Sequence, residues 1–502
     1  MYPNQTKNKE PIIELNNVSF SYDSDHYLLK NISCSILEGE FILLTGPSGG
    51  GKTTLTRVIN GIIPYFFGGE RSGTVQVRGT EISEQSSWEL AEILGSVFQD
   101  PRSQFFAPIV KDEIAFFCEN YSFPSEEIKK RVTFASEELG IQHLLKKEVL
   151  HLSSGEKQKV AVASIRVANQ KIYVLDEPSA NLDSQATLEL QSILMDWKKA
   201  GHTIVIAEHR LYYLSNLIDR AFYLKNGLLE HIFTKDEWQN LTQVQLKKYG
   251  LRSPILYWDD SGCSPISLQS SASVNQIEVE QLSIGFPKSK KSIGTKLDFQ
   301  LKSGEVVALI GGNGVGKTTL AKTLSGLMKE KAGTIRLNQQ KIATKKRSQL
   351  AWYVMQEADY QLFSASVLEE LMIGKKRTPE LKNKAEKVLK ALDLWSVHTR
   401  HPASLSGGQK QRLTIGVALM QEVPLVILDE PTAGLDGGNL HRIVKVIEKQ
   451  AALGTIFLMI SHDFELINQV AQRVLVLKDG HMEKDYILTS ERSQWVLQDM
   501  LG

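Results

Sequence analysis

Two stretches of this chain read almost alike: Leu152–Gln158 (LSSGEKQ) and Leu405–Gln411 (LSGGQKQ). They do not stand alone. Val174–Asp183 (VLDEPSANLD) matches Ile427–Asp436 (ILDEPTAGLD), and Ile206–Arg210 (IAEHR) matches Met459–Asp463 (MISHD), all 253 residues apart. Upstream, Gly46–Thr54 (GPSGGGKTT) matches Gly311–Thr319 (GGNGVGKTT) at an offset of 265. Such a spacing is far too long for a solenoid repeat and suits a duplicated domain with its own core. The 502 residues therefore divide into a first domain at 11–250, a linker at 251–274 and a second domain at 275–502. Some of the first domain's extra residues fall in Pro64–Gly73 (PYFFGGERSG). The linker is serine-rich and carries two prolines, as a surface connection would. The alternative is a partly packed strap in which Ile255, Leu256, Tyr257 and Trp258 bury themselves.

Each half opens on alternating residues, IIELNNVSFSY and IEVEQLSIGF, which predict antiparallel strands. A strand, a glycine loop and a helix follow. The continuous apolar runs KIYVLDE, PLVILDE, TIVIAEH and TIFLMISH predict buried parallel strands with functional residues at their C-terminal ends. GEKQKVAVASIRVA and GGQKQRLTIGVALM have helical spacing. The expected fold is α/β, twice over: a mostly parallel sheet flanked by helices, an antiparallel β subdomain and a helical subdomain.

The pattern GxxxxGK[ST] occurs in both halves. Glycines let backbone N–H groups turn inward around phosphates, and the following helix adds its N-terminal dipole. The first loop comprises Gly46, Pro47, Ser48, Gly49, Gly50, Gly51, Lys52, Thr53 and Thr54. The second comprises Gly311, Gly312, Asn313, Gly314, Val315, Gly316, Lys317, Thr318 and Thr319. Lys52 and Lys317 are expected to reach the β- and γ-phosphates of ATP, and Thr53 and Thr318 to ligate Mg²⁺. One such match can arise by chance; two, each after an apolar strand and each with a downstream acid, point to two nucleotide sites.

Asp176 and Asp429 end their strands, where a carboxylate can hold Mg²⁺ or its water. Glu177 and Glu430 follow and can orient the attacking water. His209 and His462, past the next strands, suit a hydrogen bond to the γ-phosphate. Gln99 (SVFQDP) and Gln356 (YVMQEA) suit a contact to Mg²⁺ or water that also touches a partner.

Taken together these residues resemble the ATP-binding cassette (ABC) ATPases, once per half. The resemblance makes the glycine loops Walker A, Asp176 and Asp429 Walker B, Glu177 and Glu430 catalytic, and His209 and His462 switch histidines. It makes Gln99 and Gln356 the Q-loops, SANLD and TAGLD the D-loops, and LSSGE and LSGGQ the signatures. It places Tyr22 and Phe286 where an aromatic ring stacks on adenine. It implies that Ser153, Ser154 and Gly155 face the ATP on Lys317, while Ser406, Gly407, Gly408 and Gln409 face the ATP on Lys52. Both cassettes lie on one chain, so this pairing is expected to form within it, closing on ATP and opening after hydrolysis.

A narrower resemblance surrounds the Q-loops. VFQDPRSQFFAPIVKDEIAF and VMQEADYQLFSASVLEEL are similar to the energy-coupling-factor (ECF) ATPases, which power vitamin and metal-ion uptake. A second glutamine, Gln104 or Gln361, follows the first by five residues. The second half has Glu357-Ala358 where the first has Asp100-Pro101, and so matches less well. The resemblance implies integral membrane partners, a transmembrane coupling protein and a substrate-binding membrane protein, and a place on the cytoplasmic face of the membrane. Phe105, Phe106, Leu362 and Phe363 read equally as core and as partner-docking residues. Two other readings stay open: a tandem ATPase of a sugar importer, and a soluble ribosome-associated ABC ATPase. The complete second glycine loop and the short linker count against them.

The formal charge of +1 gives no whole-chain attraction to nucleic acid. Cys34, Cys118 and Cys263 are scattered, so neither a disulfide framework nor a metal cluster is expected. The polar beginning MYPNQTKNKEPIIEL lacks the apolar stretch of a signal peptide. No run approaches the ~18 apolar residues of a membrane span.

The two signatures differ. Ser153-x-x-Glu156 and Ser406-x-x-Gln409 both fit a helix capping box. Glu156 adds a charge that would repel phosphate if it pointed inward, and Ser154 adds a side chain where glycine allows close approach. The site of Lys317 is therefore expected to be the weaker of two working sites.

Overall fold

The computed structural model describes residues 10–23, 27–180, 182–256, 275–287, 289 and 291–501. The side chain of Ser154 lies outside that description, as do Tyr257, Trp258, Cys263 and residues 257–274 of the expected linker. The chain forms two compact units, one mainly from residues up to Ile255 and the other mainly from Leu256 onward.

In the first unit a six-stranded sheet runs in the order Leu228–Thr234, Arg220–Lys225, Phe41–Thr45, Thr203–Ala207, Ile172–Asp176, Leu94–Val97. All neighbours are parallel except the hairpin of the first two. Phe41–Thr45, Ile172–Asp176 and Thr203–Ala207 are buried at every residue. Their unbroken apolar runs follow from being covered on both faces. The period of two still shows in where they pack. Phe41 and Leu43 join a core with the helices, whereas Ile42 and Leu44 join a core under a four-stranded antiparallel sheet. That second sheet has the order Tyr27–Leu37, Pro11–Ser21, Glu70–Val77, Thr80–Glu81. Helices Val110–Asn120, Ser125–Glu138 and Ser154–Arg166 form the helical part.

The second unit repeats this plan. Its larger sheet runs Ala351–Val354, Leu425–Asp429, Ile456–Ile460, Val306–Ile310, Arg473–Lys478, His481–Ile487. Only the last pair is antiparallel. Gly294–Lys302, Gln276–Ile284, Ala332–Leu337 and Gln340–Lys341 make the antiparallel sheet. Helices Val367–Leu371, Pro379–Ala391 and Gly407–Met420 enclose a core of their own, with Leu389, Leu394 and Leu413 fully buried.

Helix Gln243–Tyr249 ends on Gly250 in the left-handed conformation, and the Leu251 N–H bonds back to the Leu246 carbonyl (2.9 Å). Leu251 is buried in the first unit's core, so the chain stays packed one residue beyond the expected domain end. Ile255 is more than half exposed.

Candidate functional site

In each unit a sharp loop leaves the central strand and enters a helix, Lys52–Ile59 or Lys317–Leu324. The glycines at its two ends are required by the backbone. Gly51 and Gly316 take φ of 106° and 110° just before the helices. Gly46 has φ 133°, and a Cβ there would lie 2.0 Å from the Leu224 carbonyl oxygen. Gly311 repeats this against Leu477 at 2.1 Å. The lysines fold back over their own loops. Lys52 Nζ donates to the Gly46 and Pro47 carbonyls (3.0 and 2.9 Å), and Lys317 Nζ to those of Gly311 and Gly312 (2.6 and 2.9 Å). Burial lowers the pKa of both ammonium groups, opposed first by Glu177 and by Glu430.

The strand-end acids meet these loops. Thr53 donates to Asp176 (3.2 Å) and Thr318 to Asp429 (3.0 Å). Burial raises the Asp176 carboxyl to about 6, and that of Asp429 in the same direction. Glu177 and Glu430 follow in left-handed backbone, φ 47° and 48°, uncommon for non-glycine residues and a mark of sites that must aim a side chain. Burial first, then Asp176 and Glu208, raise the Glu177 pKa. Burial and Lys52 push His209 well down. His209 Nε2 lies 3.7 Å from Glu177 Oε1, where burial disfavours the charged ring.

The copies then diverge. Gln99 donates to Glu177 (3.0 Å), whereas among the described residues Gln356 makes no hydrogen bond to Glu430. Glu430 instead accepts the His462 N–H (3.0 Å), and His462 Nε2 lies 3.3 Å from Lys317 Nζ. Tyr353, where the first half has Ser96, donates its hydroxyl to Asp429 Oδ2 (2.6 Å), the oxygen that also accepts from Thr318. The residue before each histidine also differs. Glu208, 2% exposed, accepts from Ser179, His209, Arg210 and Tyr213. Ser461 stands in its place, and Asp463, one residue past His462, accepts the Thr432 hydroxyl (2.6 Å).

Tyr22 is one-third exposed; its ring meets Phe20 edge-on and its hydroxyl accepts from Arg57 (3.1 Å). Arg57 also lies 4.2 Å over the Phe67 ring, in the stretch that lengthens the first half. Phe286 is more than half exposed.

The signature serines begin helices. Ser153 caps Ser154–Arg166 and Ser406 caps Gly407–Met420, each with both bonds of the capping box. Glu156 Oε2 accepts the Ser153 N–H (2.8 Å), as Gln409 Oε1 accepts that of Ser406 (3.0 Å). Lys147 lies 3.4 Å from Glu156 Oε1. The charge of Glu156 thus turns toward its own helix end and a lysine, which lowers its carboxyl pKa despite part burial.

Sequence reasoning missed what the second glutamines do. Leu94–Val97 and Ala351–Val354 are edge strands. Gln104 accepts the Phe98 N–H (3.2 Å) and donates to the Ser96 carbonyl (3.0 Å); Gln361 does the same to Met355 and Tyr353 (both 2.8 Å). Each amide imitates a neighbouring strand's peptide group. Buried Glu113 then accepts the N–H groups of Phe106 and Ala107 (2.8 and 2.7 Å), and Glu370 those of Phe363 and Ser364 (2.9 and 2.7 Å). Both acids lie nine residues past their glutamine, a repeat that was visible in the sequence. On these clamped loops Phe106 and Phe363 are 74% and 73% exposed, while Phe105 and Leu362 pack inward. Phe106 stacks on Phe116, centroids 5.1 Å apart.

Comparison with known proteins decides the family. The ABC transporter family profile matches residues 29–180 and 295–433. The chain belongs to the ABC transporter family. It is an ATPase with two tandem ATP-binding cassettes. A protein of Treponema denticola named as an ABC transporter ATP-binding protein is 36% identical, over 98% of this chain and 100% of its own. A Bacillus subtilis protein named as an HMP/thiamine import ATP-binding protein is 32% identical, over 95% of this chain and 91% of its own. Among solved structures, a ribosome-bound archaeal Pelota and ABCE1 assembly superposes with TM-score 0.68 over 96% of this ABC chain and 80% of the other, at 19% identity; that likeness shows the fold alone. Among the described residues of the cassettes no helix is long and apolar enough to cross a membrane.

Proposed function

We propose that the chain powers a membrane importer of the ECF type, on the cytoplasmic face, with a vitamin, vitamin precursor or metal ion as cargo. The observation that carries this reading is the pair of clamped loops. Exposed phenylalanines are ordinary when scattered. Here both units hold one on a loop fixed by a buried glutamate and a strand-end glutamine, beside the residue proposed to sense the nucleotide. A rigid apolar projection next to Gln99 or Gln356 suits helices of membrane partners, a coupling protein joined to a substrate-binding protein. The resemblance to a relative named for HMP/thiamine import supports the direction and the cargo class.

In this reading the domains at 11–250 and 275–502 each bind one ATP, and the signature of one half caps the ATP on the other. Lys52 and Lys317 leave their loop carbonyls for the phosphates. Tyr22 and Phe286 stack on adenine. Glu177 and Glu430 orient water, while His209 and His462 bond the γ-phosphate. Mg²⁺ fits the residues present: a hydroxyl beside a buried carboxylate is an oxygen-only set, and Mg²⁺ prefers oxygen and keeps several waters. Thr53, Asp176 and Gln99 would hold it in one half, and Thr318, Asp429 and Gln356 in the other. Bound there, it supplies positive charge against the β- and γ-phosphates. Domain closure on ATP and opening after hydrolysis then move the partner helices.

The test is to purify the chain from its host membranes in mild detergent and identify what accompanies it. A small integral membrane protein in the eluate, lost on Phe106→Ala with Phe363→Ala, is expected. Recovery with ribosomes and no membrane protein overturns the reading.

A further inference from the structure

Glu208 is a buried acid for which the hydrolysis scheme has no task. It is 2% exposed, and among the described residues its carboxylate accepts five hydrogen bonds. Oε1 accepts the N–H groups of His209 (2.7 Å) and Arg210 (3.0 Å). Oε2 accepts the Ser179 hydroxyl (2.7 Å), the Ser179 N–H (3.3 Å) and the Tyr213 hydroxyl (2.9 Å). Ser179 lies two residues after Glu177. One carboxylate therefore ties the loop leaving Glu177 to the turn that carries His209.

The second unit makes the same tie with a different residue. Ser461 replaces Glu208; its hydroxyl donates to Glu430 (3.4 Å) and accepts the Asp463 N–H (3.0 Å), and the tie to Thr432 is left to another residue. Asp463, on the other side of the histidine, accepts the hydroxyl of Thr432, the counterpart of Ser179, through Oδ2 (2.6 Å). Its Oδ1 accepts the Leu466 N–H and so caps the helix Phe464–Val470. At the matching place the first unit has Arg210, which offers no acceptor, and Leu211–Leu217 forms turns without a helix. The acid and the helix cap have separated, while the tie between the two loops has stayed. Two copies reaching one connection by different residues single out the connection as what matters.

We propose that Glu208 is the positioning residue of the first ATP site, holding His209 and the loop after Glu177 in a single register, as Asp463 does for His462. A carboxylate is suited to this because it takes five hydrogen bonds in a low-dielectric interior without presenting a donor of its own. Its partners are Ser179, His209, Arg210 and Tyr213, none of them on the glycine loop, so its effect belongs to the alignment of Glu177 and His209 and not to ATP capture by that loop. The proposal rests on the roles given above to Glu177, Glu430 and His209.

The test is steady-state ATPase kinetics on the full chain carrying Glu430→Gln, so that turnover reports the first site. Adding Glu208→Ser is expected to lower kcat about tenfold or more with KM for ATP changed by less than about twofold. Glu208→Gln, which keeps the shape and half the acceptor capacity, should fall between and serves if the serine variant folds poorly. Moving the acid, with Glu208→Ser and Arg210→Asp together, should bring kcat back to within about threefold. Full kcat in Glu208→Ser, or a relocated acid no better than the single variant, overturns the proposal. Turnover in Glu177→Gln with Glu430→Gln equal to that of Glu430→Gln alone would instead overturn the role of Glu177, a failure distinct from that of Glu208.

Discussion

Beyond the strand Thr203–Ala207 the tethering acid comes before the histidine; beyond Ile456–Ile460 it comes after. Similar contrasts recur around the two sites. Gln99 bonds Glu177, while Glu430 is held by the His462 backbone. Asp176 accepts from Thr53, while one oxygen of Asp429 accepts from both Thr318 and Tyr353. The loop lysine and threonine, the strand-end aspartate, the glutamate after it and the histidine are the same in the two halves, and the groups that hold them are not. A duplicated domain keeps its chemistry by keeping geometry, and several side chains can enforce one geometry. The differences also have a direction. In the second half the acid proposed to hold Mg²⁺ has less free acceptor capacity, and the Q-loop glutamine is not tied to the catalytic acid.

The largest expected effect tests whether two sites exist at all. Lys52→Ala and Lys317→Ala should each remove one ATP from the stoichiometry measured by calorimetry, with affinity at the altered loop falling on the order of 100-fold. A variant that leaves the stoichiometry unchanged breaks the equivalence of the halves.

Next come the strand-end glutamines. Gln104→Leu leaves the Phe98 N–H and the Ser96 carbonyl without their partner, and Gln361→Leu does the same to Met355 and Tyr353. Each should cost about 1–3 kcal/mol in denaturant unfolding. Phe106→Ala, at a position 74% exposed, should leave stability within about 0.5 kcal/mol and lose only the partner. Equal destabilisation by both would make Phe106 part of the core.

The smallest effect sharpens the contrast between the acids. Tyr353→Phe frees one lone pair of Asp429 and should tighten Mn²⁺, used as a spectroscopic probe for Mg²⁺, by about two- to fivefold at the second half, without turnover being needed. Unchanged Mn²⁺ affinity removes Tyr353 from the explanation.

The glycine loops, the strand-end acids and the histidines were legible because each depends on a short stretch of backbone with a fixed shape. Gly46 and Gly311 are forced by a neighbouring carbonyl, and Glu177 and Glu430 sit at a turn that the LDEP phrase itself makes. The alternating and continuous apolar runs likewise gave both sheets in each unit. What stayed hidden depends on partners distant in sequence. Gln104 stood out as a pattern, but its task as a strand-edge clasp needed the sheet order. Glu113 and Glu370 carry no local mark that sets them apart from other helix acids; the Phe106 and Phe363 amides above them give them their task. The exchange of Glu208 for Ser461 takes its meaning from Asp463 on Thr432, a contact across 31 residues that no local pattern shows. Glu156 was expected to trouble the opposite phosphate if it pointed inward. It turns back onto Ser153 with Lys147 beside it, so the case for a weaker second site now rests more on Tyr353 and Gln356 than on that charge.

Both sites are proposed to work, the one built on Lys317 less. The direct measurement is the residual ATPase rate of Glu177→Gln against that of Glu430→Gln, in the full chain under saturating ATP. Glu177→Gln should lose more, leaving a rate lower than that of Glu430→Gln by about threefold or more. Equal residual rates, or a lower rate in Glu430→Gln, would contradict it.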